Sequence, residues 1–428
     1  MILYSPSGVW RISRSHLLQG NYQVWSPAAY VDAVIHDPSI NSRKQMESKS
    51  QPLLGFLQPL HLVVFFKFTL SLEIPSANSA LKEWSSTWII PPPNKPAYFI
   101  FGDSLVDPGN NNYLPAALAK ANFPRNGIDF PAGPTGRFCN GRTVTDVVAD
   151  LIGVPYPPPY LQPSVKNGQG IVTGVSYASA AGGILDATGG NYIERVGMNL
   201  QIEFFKNTMA QLQSQLGMTE ANTLLATGVC TIVLGSNDFI NNYLLADTFT
   251  KYQYTPHNYN ILLLTSLSSQ LTTLYTLGFR RFTVSNVGPL GCIPEQLAIA
   301  KTQVCVQSTN DQVMDYNAGL KTLLTQLTSS LPGSTFLYAN VYDAVFGLIQ
   351  NPQPSGFTTV NEGCCGAGLY NAQIPCLPIA TPCLDRTKYI FWDGYHPTEA
   401  ANVILANGLW SGGLDSISPM NVQQLLNM

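Results

Sequence analysis

From residue 96 onward the chain alternates between short apolar runs and longer stretches whose apolar side chains recur at helical spacing, and few folds accept that alternation. The first run, Ala97-Tyr98-Phe99-Ile100-Phe101, is bounded by Pro96 and Gly102, as a buried strand would be. Further strands are read at 171–177, 230–234, 281–285 and 335–339, and helices at 143–152, 200–216, 259–277, 311–330 and 397–409. In the third helix Leu263, Leu267, Leu271 and Leu274 make one apolar face. Strands that are apolar throughout, separated by helices, need cover on both faces, so the expectation is a parallel sheet in one α/β domain. Such sheets gather their ligand site at the carboxyl ends of the strands.

Polar residues follow the strands at those ends. Gly102-Asp103-Ser104 follows the first, a Gly-rich turn the second, Gly235-Ser236-Asn237-Asp238 the third and Asn286-Val287-Gly288-Pro289 the fourth. A serine alcohol is a weak nucleophile until a neighbouring base takes its proton. Asp393-Gly394-Tyr395-His396, near the far end of the chain, offers such a base with a partner: three residues let the carboxylate fold back and orient the imidazole. Asn237 can aim an amide at the oxyanion of a tetrahedral intermediate, joined by backbone N–H groups of Ser104 and the 181–183 turn. Taken singly, Ser104 reads as a helix cap, and His396 and Asn237 as turn residues. Their order after successive strands is what points to catalysis.

Gly-Asp-Ser-Leu at 102–105, Gly-Ser-Asn-Asp at 235–238 and Asp-x-x-His at 393–396 resemble the plant-type GDSL esterase/lipases of the SGNH hydrolase superfamily. The stretches 101–112, 136–146 and 286–294 agree, and the similarity runs over about residues 96 to 411. The resemblance implies a three-layer α/β/α sandwich with a parallel, flavodoxin-like sheet. It implies ester hydrolysis through Ser104, Asp393 and His396, with Asn237 and Gly182 in the oxyanion hole and no metal or organic cofactor. One block departs from the family pattern. Ser176-Tyr177-Ala178-Ser179-Ala180-Ala181-Gly182-Gly183 carries alanines where glycines are usual, so Ala181 and Gly182 both stand as the source of the backbone donor. Acyl transfer to an alcohol by the same residues is the alternative activity, and a non-catalytic binding module is the remaining one. Arg137 and Arg142, flanking Asn140, read as anchors of a loop near the site or as substrate contacts, and Asn110-Asn111-Asn112 as a structural loop near the site.

Composition narrows the partners. Charged residues make up 11% of 428 and the net charge is −3, so no basic field exists to collect a phosphate backbone. The expected partner is a small-molecule, lipid or polymer ester, bound by a monomer. Four of eight cysteines crowd into 364–383 among Gly and Pro, which reads as disulfide stapling; adjacency of Cys364 and Cys365, with no His in the cluster, disfavours zinc. Cys292 and Cys305 suit a short loop, while Cys139 and Cys230 read as core thiols. No Asn-x-Ser/Thr sequon occurs, a small count against secretion. Before the domain, Leu60–Leu72 is too short for a comfortable membrane span but has the length of a secretory h-region. The expectation is therefore a signal-peptide-like segment at 46–80, an upstream extension foreign to the native protein at 1–45, a linker at 81–96 and a secreted hydrolase domain at 97–428.

Overall fold

The computed structural model describes residues 95–245 and 248–428. The expectations for 1–45, 46–80 and 81–94 lie outside the described residues. Four parallel strands form the centre: β1 (Tyr98–Gly102), β2 (Val229–Val233), β3 (Arg281–Ser285) and β4 (Thr335–Ala339). A separate parallel pair joins β5 (Thr359–Gly363) to β6 (Tyr389–Phe391), and β7 (Ile417–Ser418) runs antiparallel to β4 at the edge of the main sheet.

The strand expected at 171–177 is corrected. Ile171–Thr173 forms a 3-10 turn, because Gly170 and Gly174 hold positive φ and a side chain at Gly174 would strike the backbone of Tyr98. Only from Val175 does the chain run along β1, through Ile100 N–H to Val175 (3.0 Å), Tyr177 N–H to Ile100 (2.8 Å) and Ser179 N–H to Gly102 (3.0 Å). With this segment counted second, the parallel order is 2-1-3-4-5, that of flavodoxin-like sheets.

Both faces of the sheet are covered, which is why its strands are apolar at nearly every position. One face presents Phe99, Phe101, Phe282 and Phe336 to helices Met198–Leu216, Pro256–Thr276 and Gln307–Ser330. Phe282 and Phe336 stack with ring centres 4.2 Å apart. The other face, with Ile100, Val233 and Leu337, lies against helices Val144–Ile152, Glu399–Ser411 and Val422–Leu426. Helix starts obey their caps. Thr143 forms a capping box with Asp146, and Thr398 accepts from Ala401 N–H, so two expected helices begin one or two residues late. The helix expected at 311–330 starts earlier, at Gln307, where a polar first turn carries no apolar signal and the Cys292–Cys305 disulfide delivers the chain. Helices Met218–Thr227 and Val341–Gln350 and the β5–β6 pair were not read from the sequence, although Val341, Val345 and Leu348 recur at helical spacing in the second of these helices.

One buried side chain ties a helix to the carboxyl end of β1. Gln201 donates to the carbonyls of Gly102 (2.8 Å) and Val196 (2.9 Å) and accepts from Gly102 N–H (2.9 Å). Gln201→Leu leaves the Gly102 N–H and the Val196 carbonyl unpaired in the core. It should lower the unfolding free energy by about 2–4 kcal/mol in a urea titration, and an unchanged midpoint would show that the clamp carries no stability.

Candidate active site

Ser104 stands at the apex of the turn that ends β1. Asp103 N–H still reaches the Val233 carbonyl (3.1 Å); then Asp103 Oδ1 accepts from Leu105 N–H (3.0 Å) and Val106 N–H returns to the Asp103 carbonyl (3.2 Å). Gly102 is needed here, since an added Cβ would meet Val106 Cγ2 at 2.5 Å and the Val233 carbonyl at 2.6 Å. The turn leaves Ser104 half-buried with its hydroxyl free of the sheet. Its N–H has no partner among the described residues.

The imidazole arrives from the other end of the chain. After β6, Trp392 N–H donates to the His396 carbonyl (2.7 Å) and closes a tight turn. Within it Asp393 Oδ1 accepts from the N–H groups of Tyr395 (2.8 Å) and His396 (2.9 Å). Both carboxylate oxygens lie 2.9 Å from His396 Nδ1, and His396 Nε2 lies 2.8 Å from Ser104 Oγ. Asp393 is 8% and His396 9% exposed, so the pair works largely shielded from water. Phe138 packs on the imidazole with ring centres 5.2 Å apart. Behind the turn, Cys364 and Cys365 donate their N–H groups to the carbonyls of Phe391 (3.0 Å) and Trp392 (2.7 Å). Disulfides Cys364–Cys383 and Cys365–Cys376 staple that backing loop, while Cys139 and Cys230 stay as buried thiols.

Asn237 follows β2 through Gly235, whose φ of 124° favours glycine. Its Nδ2 donates to the Gly182 carbonyl (2.9 Å) and its Oδ1 accepts from Asn241 (2.6 Å), which fixes the amide and leaves one N–H over. The expected donor Gly182 is corrected by its own bonding: its N–H is spent on the Ser179 carbonyl (3.0 Å). Ala180 N–H goes to Asp107 (3.1 Å). Between them, Ala181 N–H has no partner among the described residues. Ala181 holds φ at 65°, a left-handed conformation that costs an L-residue roughly 1–2 kcal/mol.

Buried carboxylates hold these loops. Asp107 accepts from Gly109 (2.7 Å), Asn110 (2.6 Å) and Ala180 N–H, and Asp238 from Ile184 (2.8 Å), Leu185 (3.1 Å) and Thr188 (2.6 Å). Burial pushes each up to about 6. Asn110 and Asn111 bind backbone carbonyls at 176, 178 and 180, so that loop is a fastening. Arg137 grips Asp146 through two 2.7 Å bonds, and Arg142 pairs with Glu399 and Asp150; both anchor the 136–146 loop. Sequence reasoning assigned no role to Gln201, which belongs to no motif, or to Asp107, although it lies within the 101–112 stretch. Among the described residues no three His, Cys, Asp or Glu gather as a metal site requires, and no helix is long and apolar enough to cross a membrane.

Two cavities meet at Ser104, Asn237, Ile240 and His396. One, of about 280 Å³, opens between Leu118, Phe138, Tyr192 and Leu377. The other, of about 110 Å³, runs inward beneath the sheet.

A family model described as GDSL-like Lipase/Acylhydrolase matches residues 98–409. GDSL esterase/lipase At2g23540 of Arabidopsis thaliana is 42% identical over 397 residues, covering 90% of this chain and all of that protein. GDSL esterase/lipase 7 from the same plant is 45% identical over 342 residues, 78% of this chain and 93% of the relative.

Asp103 supplies a pH test. It is buried, its Oδ2 has no partner, and burial raises its carboxyl from 3.8 to about 7. Burial favours the neutral form, so the contribution to stability is full below about pH 4 and is lost as pH rises through about 7. Asp103→Asn keeps the neutral form at every pH. Its stability relative to wild type should rise by up to a few kcal/mol between pH 4 and 7.5. Parallel urea midpoints across that range would contradict the assignment.

Proposed function

The chain belongs to the GDSL-like lipase/acylhydrolase family, and on that footing we propose that it hydrolyses carboxylic esters through an acyl-enzyme on Ser104. The observation that carries this reading is the 2.8 Å separation of Ser104 Oγ and His396 Nε2, backed by Asp393 on the other ring nitrogen. His396 takes the hydroxyl proton as Ser104 attacks the ester carbonyl carbon. Asp393 keeps the ring oriented and stabilises the imidazolium that forms. The tetrahedral oxyanion receives the remaining N–H of Asn237 and the backbone N–H groups of Ser104 and Ala181. Ala181 takes the place expected of Gly182, whose N–H is already committed. Collapse expels the alcohol, which carries off the imidazolium proton. Water then attacks the acyl-enzyme with His396 again as base, and the acid leaves.

The three disulfides, bonds that persist in oxidising compartments, support a secreted enzyme. Arabidopsis relatives are named esterase/lipases, which supports esters as substrates without choosing the acid or the alcohol.

Turnover of short p-nitrophenyl esters tests the chemistry. Ser104→Ala should lose at least a thousandfold in kcat. Asn237→Ala should lose about a hundred- to a thousandfold, the usual cost of one oxyanion donor. Equal rates for wild type and Ser104→Ala would end the claim.

A further inference from the structure

The two faces of the sheet are filled unequally. On one, Phe99, Phe101, Phe282 and Phe336 take up the space beneath their helices. On the other, the register sets Thr231 beside Thr283 and Ser285 beside Ala339, under Ala401 and Leu405 of helix Glu399–Ser411. Small residues facing small residues leave the inner cavity of about 110 Å³, with Ser104, Asn237 and His396 at its mouth. Beyond the mouth its walls are chiefly apolar, from Val233, Val345, Ile390 and Leu405. None of its lining side chains is exposed, whereas the outer cleft includes the exposed Leu118, Gln373 and Leu377.

Resting on the reading of Ser104 as nucleophile, we propose that this inner chamber binds the acyl chain of the substrate and the outer cleft its alcohol. The order of bond breaking supports the division. The alcohol must depart while the acyl group stays on Ser104, and water must then enter by the way the alcohol left. The partner with the open route is therefore the alcohol, and the one held inside is the acyl chain. An apolar cavity of about 150 Å³ holds benzene, and a water-sized group takes about 30 Å³. The chamber therefore suits an unbranched aliphatic chain of roughly four carbons. The preferred substrates are esters of short straight-chain fatty acids, and Thr283 and Leu405 are among the residues that line the chamber away from Ser104.

The test compares kcat/KM for p-nitrophenyl acetate, butyrate, hexanoate and octanoate. Thr283→Ile takes up chamber volume and should lower the hexanoate-to-acetate ratio at least tenfold. Leu405→Ala deepens the chamber and should raise the octanoate-to-butyrate ratio several-fold, since each methylene fitted or refused by an apolar pocket shifts such ratios by about tenfold or more. Leu377→Trp, in the outer cleft, should alter preference among alcohols and leave the acyl ratios alone. Either chamber variant alone suffices if the other does not fold. Acyl ratios that stay flat in both, with acetate turned over normally by the wild type, would overturn the chamber and spare the chemistry. A wild type that neither hydrolyses acetate nor reacts at Ser104 with a fluorophosphonate would sink both.

Discussion

The contact between Ser104 and His396 spans 292 residues of sequence, and the rest of the structure serves to keep it short. Neither residue sits in a regular element. Each occupies a turn just beyond a strand, and each turn is locked by an aspartate that accepts backbone N–H groups, Asp103 for one and Asp393 for the other. The strands bring the turns near each other, and the turns supply the last ångström. For the proposed chemistry such precision matters, because a misplacement of about 1 Å can cost a hundredfold in rate.

Holding the loops has a cost in buried charge. Asp103, Asp107 and Asp238 are all but inaccessible, and desolvation opposes their ionisation. Asp107 recovers much of it through several N–H donors and Asp238 through two N–H groups and the Thr188 hydroxyl, and Gln201 does similar service as a neutral amide at Gly102. Loops at the carboxyl end of the sheet thus have fixed shapes without regular secondary structure, as the proposed oxyanion donors would demand.

Much of the fold was legible because burial on two faces writes itself into the strands as unbroken apolar runs. β1 to β4 and the five long helices follow from that signal and from leucine spacing. The reading failed at 171–177, where an apolar run is buried as a turn between two glycines whose positive φ leaves no trace in hydropathy. In the site, the structure brings Ser104, Asp393, His396 and Asn237 together; Ser104 and Asn237 were visible as polar residues at strand ends, and Asp393 and His396 as an Asp-x-x-His pair whose preceding strand β6 was not read. Which of Gly182 and Ala181 keeps a free N–H could not be read beforehand, because it turns on which N–H the folded loop has already spent. The inner cavity was equally hidden. It depends on which small residues become neighbours across strands, and strand register is a property of the folded sheet.

Helix Glu399–Ser411 starts three residues after His396 and also walls the inner cavity through Ala401 and Leu405. One rigid rod therefore meets two demands. Lifting it to make more room would drag the imbedded end of the imidazole's own turn away from the serine. Divergence along this lineage should therefore reshape the cavity by exchanging side chains on the sheet or on neighbouring segments, and leave the rod's axis where it is.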